Sequence, residues 1–253
     1  MRTRAPDPLV GQVYWITLLG WFHVILFGVV IPLLALRGRQ KLAQPNAPPI
    51  NRLAHFRVTS GMLGVFASLS LLTAVDHELW LFPMDRPRLL LSLPVGIAFC
   101  WLAVTLMRPR WRRVVAERKP IVQLFMPATA VERNWWLLVS VMAGVSEEIT
   151  WRGVQSTLLA AVVGSAWLAV VLSALMFGAA HLTQGWKSAG IITAFGLGFQ
   201  ALVWISGSLY VPMLIHAAYD VIAGLTYRKL GQESGLYSAD GAYVPRPQAE
   251  DHR

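Results

Sequence analysis

Six ionisable side chains stand inside stretches of sequence that are otherwise apolar. Glu147, Glu148 and Arg152 lie between the run Trp135–Ser146 and the uncharged stretch 153–180, His181 closes the run Ala166–Ala180, and His216 and Asp220 lie in the last apolar tract. Carboxylates and imidazoles are the side chains of proton transfer. A carboxylate can take a proton from water, and an imidazole can pass one to a leaving amine or face a developing oxyanion. Glu147, His181 and His216 therefore supply the residue types that peptide-bond hydrolysis needs.

The spacing sorts these residues into roles. Glu148 and Arg152 are i and i+4 with the acid first, the favourable order for a helical ion pair, so they can neutralise each other. Glu147 points about 100° away on the same helix and needs a cavity, water or another polar group. His216 and Asp220, again i and i+4, share one helix face. Each such charge near a bilayer centre costs about 2.5–3.5 kcal/mol, and intramembrane ionisable groups usually face the bundle interior and meet one another. Glu147, His181, His216 and Asp220 are thus expected to converge on one polar, hydrated cavity. Plainer roles compete: an interfacial His181, a Glu148–Arg152 pair that only glues helices, an Asp220 that merely orients His216. His23, His55 and His77 have no spaced partners and read as structural or interfacial. Trp135, Trp136, Trp151 and Trp167 read as packing and anchoring residues.

The elements that must hold these groups are membrane helices. Of 253 residues, 55% are apolar and 14% charged, about half the usual charged fraction of a soluble domain, and the apolar residues fall in tracts near the length of a bilayer crossing. An ordinary water-soluble domain is excluded. The expected fold is an all-α, polytopic transmembrane bundle with crossings at about 13–36, 58–75, 89–107, 134–163, 165–182, 188–206 and 209–227, seven in all, or eight if the long 134–163 tract splits. Residues 1–230 form the transmembrane domain, with the chemistry at about 130–225, and the polar composition from 231 to 253 reads as a disordered cytoplasmic tail. The first tract is too long for a signal-peptide core and is expected to stay as an anchor.

The net charge of +9 follows topology rather than a nucleic-acid partner. Seventeen basic residues fall on one side of these crossings and four (Arg2, Arg4, Arg86 and Arg88) on the other, which sets the C-terminus in the cytoplasm of a multi-pass cell-membrane protein. Arg2 and Arg4 argue mildly the other way. Residues 108–133, where basic clusters alternate with Trp111, Val114, Val115, Ile121, Leu124 and Phe125, suit either a segment lying on the inner membrane surface or a solvated basic loop. The single cysteine, Cys100, leaves no intramolecular disulfide and no cysteine zinc cage.

Taken in order, Glu147-Glu148-x-x-x-Arg152, Phe177-x-x-x-His181 and His216-x-x-x-Asp220 resemble the CPBP family of intramembrane proteases, the CAAX-protease and bacteriocin-processing group. The resemblance covers roughly residues 130–225. It implies that Glu147 is the general base that activates water, aided by His181, that His216 and Asp220 form the oxyanion-stabilising site, and that Glu148 and Arg152 support the architecture. The last motif more commonly ends in asparagine. An ionised Asp220 would repel an oxyanion, so it must be protonated, act through water, or hold His216.

No cofactor is expected, with zinc as the alternative: two histidines plus Glu147 or Asp220 form a set that zinc accepts, yet no HExxH helix is present. Other functions compete. A proton or ion pathway would use the same residue types, but no inverted repeat pairs the two halves. A bacteriocin-immunity or scaffold role without turnover is the third reading. The expected partners are membrane lipid and a peptide or protein substrate, prenylated or membrane-anchored, and residues 1–130 select no particular one.

Overall fold

The computed structural model describes residues 15–44, 50–238, 241, 242 and 244. Seven helical runs follow one another: α1 (Leu18–Leu42), α2 (Arg52–Asp76), α3 (Arg86–Ala116), α4 (Ala130–Glu147, continuing through Glu148–Gln155 and Ser156–Val163), α5 (Ala166–Ala180), α6 (Trp186–Ser206) and α7 (Tyr210–Glu233). They coincide with the seven apolar tracts, and the long fourth tract stays helical throughout. The protein is an all-helical membrane protein. Four helices, α1, α2, α3 and α6, are long and apolar enough to cross a bilayer by length and composition. α4 carries the charges already noted, and α5 has 15 residues.

Local chemistry sets the helix ends. Thr17, Asn51, Asp85 and Ser165 each accept a backbone N–H of the first turn, which satisfies a donor the helix leaves free. Thr129 and Glu132 close a capping box at the start of α4. Gly164 and Gly207 end α4 and α6 at φ +67° and +69°, a left-handed conformation that costs glycine little.

The two sets of loops separated by charge lie at opposite ends of the bundle. At one end Arg39 stacks over Trp186, Arg52 pairs with Glu132 at 3.2 Å, and Arg110 donates to Ser188 at 2.9 Å. At the other, Thr17 meets Asp76 and His77, and Arg88 donates to the carbonyls of Trp204 and Ile205 at the end of α6. His77 also meets the carbonyl of Thr73 through Nδ1 at 3.0 Å. Arg2 and Arg4 lie outside the described residues.

Two expectations at the basic end need correction. Residues 108–116 continue α3, and Trp111, Val115, Val122 and Met126 are buried, so these side chains pack on protein, while Val114, Ile121 and Phe125 stay half-buried at the cavity. The partners of the buried side chains are α7 and the start of the tail. That tail is not disordered from residue 231: α7 runs to Glu233, Leu236 is 1% exposed against Val115, Val122 and Met126, and Arg118 donates to the carbonyls of Ser234 and Val244. One apolar side chain among polar neighbours is enough to seat this stretch. Residues 239–240, 243 and 245–253 lie outside the described residues.

Candidate active site

α4 carries the acids and packs on α7, which carries His216. A Cβ on Gly144 would lie 2.7 Å from the backbone nitrogen of Ala217 and 2.8 Å from the carbonyl of Met213. Only a residue without a side chain allows that approach, the usual device of close helix packing in membranes. Gly144 is one turn before Glu147 and Ala217 adjoins His216, so the contact sets the distance between base and imidazole. Gly178, three residues before His181, plays the same part between α5 and α6, where a Cβ would lie 2.6 Å from the carbonyl of Ala189.

Glu147 ends the regular α-helical part of α4, and Glu148–Gln155 is a π turn, a form that recurs at functional sites because the wider turn re-aims side chains. The i, i+4 pair forms as expected, with Arg152 Nη1 at 3.3 Å from Glu148 Oε1, both buried. The Arg152 guanidinium lies 4.1 Å over the Phe177 ring and 5.4 Å from that of Phe199, which supplies a polarisable surround for a buried cation. Glu148 has a second partner that spacing did not reveal: Nδ1 of His216 donates to its Oε1 at 2.7 Å. The acid read as architectural support therefore also orients the imidazole. The Phe199 ring stacks on His216 at 4.8 Å and 18°.

Each histidine turns one nitrogen toward Glu147. Nδ1 of His181 donates to the carbonyl of Phe177 at 2.8 Å; a carbonyl only accepts, so this nitrogen carries hydrogen. Nε2 of His181 then lies 3.8 Å from Glu147 Oε1, and Nε2 of His216 lies 3.7 Å from Glu147 Oε2. Asp220 Oδ2 stands 3.7 Å from the same His216 nitrogen. These gaps exceed a direct hydrogen bond and suit groups that share a water or a reacting atom. All four residues line one cavity of about 1060 Å³, which continues past Phe66, Ile192 and Phe195 to Arg110, Arg113 and Lys119 at the basic end. Among the described residues, no group of three or more His, Cys, Asp or Glu side chains is arranged to hold a metal ion.

A second buried polar group lies behind α4. His23, fully buried, meets Gln155 through Nδ1 and Ser70 through Nε2, both at 3.0 Å, and Ser70 meets Thr150 at 2.9 Å. The network ties α1 and α2 to the π turn. His23 in an apolar tract was the one visible sign of it, and its partners come from distant tracts. His55 lines the cavity toward the basic end.

Residues 130–222, from the start of α4 into α7, match the family model for type II CAAX prenyl endopeptidases, Rce1-like. Over this region, less than half of the chain, the protein is similar to these endopeptidases, hydrolases that act on peptide bonds. No curated protein and no solved structure matches the chain.

Proposed function

We propose that the protein cuts a membrane-associated or lipidated protein substrate by general-base attack of water, with Glu147 as the base. The approach of both imidazoles to one carboxylate, at 3.8 and 3.7 Å, carries this reading. A water held between Glu147 and His181 loses its proton to Glu147 as its oxygen attacks the carbonyl carbon. His216, with Nδ1 committed to Glu148, offers Nε2–H, when that nitrogen is protonated, to the tetrahedral oxygen. Glu147 returns the proton to the leaving amine, and the C–N bond breaks. Asp220 acts as a neutral acid or through water, since Glu148 already holds the ring. Glu148 and Arg152 form the supporting pair.

The chemistry is metal-free in this reading. The orientation has seven crossings, the C-terminus in the cytoplasm and one transmembrane domain, with the protease core at about 130–225. The apolar stretch of the cavity suits a lipid chain or a membrane-anchored peptide. The test is a comparison of peptide termini in membrane fractions from wild-type and Glu147→Gln strains. New C-termini present only in the wild type support proteolysis and name the substrate; identical profiles overturn it in favour of a scaffold.

A further inference from the structure

The cavity is not uniform in charge. Arg39, Arg110, Arg113, Lys119 and Lys187 line its basic end, where Glu117 is taken up by Lys119 at 2.6 Å. Arg110 differs from the other cations. Its side chain is half-buried on α3 and spans to α6, where it donates to Ser188 at 2.9 Å. No carboxylate lies within ion-pair distance of it among the described residues, although Glu147 and Asp220 line the same cavity. Ser188 in turn donates to the carbonyl of Gln184 at 2.9 Å, which fixes the hydroxyl that receives the guanidinium. Tyr219, one residue before Asp220, and Tyr227 also line the cavity.

A guanidinium has five donors in a planar fork matched to a carboxylate. Ser188 takes one Nη2 donor and holds the group in place, and the rest remain available to a ligand in the cavity. Withdrawing a cation from water without a counter-ion costs energy, and an anionic ligand would recover it. We propose that Arg110, anchored by Ser188, is a substrate subsite for a carboxylate, which makes the protein select peptides carrying a negative charge close to the cleaved bond. Two sources fit this chemistry, the terminal carboxylate of the substrate and an acidic side chain near it.

This inference rests on the proteolytic reading, so the test separates binding from turnover. The probes are S-farnesyl-cysteinyl trialanine as the free acid, the same peptide as its C-terminal amide, and the amide with glutamate in last place. Each is titrated against detergent-purified, full-length Glu147→Gln protein. The expected result is affinity at least about tenfold higher for one or both acidic probes than for the neutral amide, a difference of about 1.4 kcal/mol. The free acid alone marks a chain-terminal subsite, and the glutamate probe alone a side-chain one. Adding Arg110→Gln should abolish the preference while leaving the neutral amide's affinity unchanged, which also controls for folding; Arg110→Lys should restore part of it. Equal affinity for all three probes, no binding of any, or a preference that survives Arg110→Gln overturns the subsite. Absence of any cleavage of the three probes by the wild-type protein would instead overturn the proteolytic reading and leave the subsite standing, and cleavage retained by Glu147→Gln would overturn only the choice of Glu147 as base.

Discussion

His216 gives one ring nitrogen to Glu148 at 2.7 Å and turns the other toward Glu147 at 3.7 Å. Two adjacent acids on α4 thereby address opposite edges of a single imidazole on α7. The π turn that begins at Glu148 accompanies this division: one acid faces the cavity and the other is sealed behind the ring.

Replacing Glu147 by Gln keeps shape and removes the base. Turnover should fall on the order of 10²–10⁴-fold, with thermal melting in detergent unchanged. Retained activity in purified protein free of other proteases would sink the assignment.

Glu148 and Asp220 should separate cleanly. Glu148→Gln withdraws the charge that faces Nδ1 of His216, and turnover should drop on the order of 10²-fold. Asp220→Asn leaves the Glu148 contact intact and should stay within a few-fold of wild type. Glu148→Ala also strands Arg152, at a cost of about 3–5 kcal/mol, seen as early loss of fold on heating. Equal damage from both amide variants would assign Asp220 a direct part in the chemistry.

Much of this was legible from residue types. The seven tracts emerged because lipid demands long apolar helices, and Glu147, His181, His216 and Asp220 stood out because ionisable groups in such tracts need each other. The contact between Glu148 and His216 did not, since the acid already had a satisfactory partner four residues on. The burial of Trp111, Val115 and Met126 was hidden for a similar reason. An amphipathic basic stretch looks alike whether its apolar side meets lipid or protein, and its cover, Leu236, sits in a segment whose composition reads as disorder.

Chelation tests the absence of a metal step. Dialysis against EDTA or 1,10-phenanthroline should leave turnover unaltered. Loss of activity restored by added zinc would replace the glutamate-water mechanism with a metal-bound one.

The Gly144 contact predicts a geometric defect. Gly144→Val must push α7 away from α4, costing about 1–3 kcal/mol and moving His216 off Glu147. Melting should come earlier and kcat should fall more than KM rises. An unchanged kcat in a protein that still folds would mean the helices can separate without cost to the site.

His23→Leu removes two hydrogen bonds and leaves Gln155 and Ser70 short of partners. The expected loss is about 1–3 kcal/mol for each stranded group, measured by thermal or denaturant unfolding in detergent. A variant as stable as wild type would show that Ser70, Thr150 and Gln155 re-pair among themselves.

The backward fold of Ser234–Ser238 over the ends of α3 and α7 joins this last part of the chain to a helix outside the matched residues 130–222. A chain cut after Glu233 would leave an apolar notch at Val115, Val122 and Met126 open to water. Clipping there should first provoke self-association rather than loss of the catalytic cluster, because the wound lies in aqueous surroundings while the helices that carry the acids and imidazoles keep their own grip on one another.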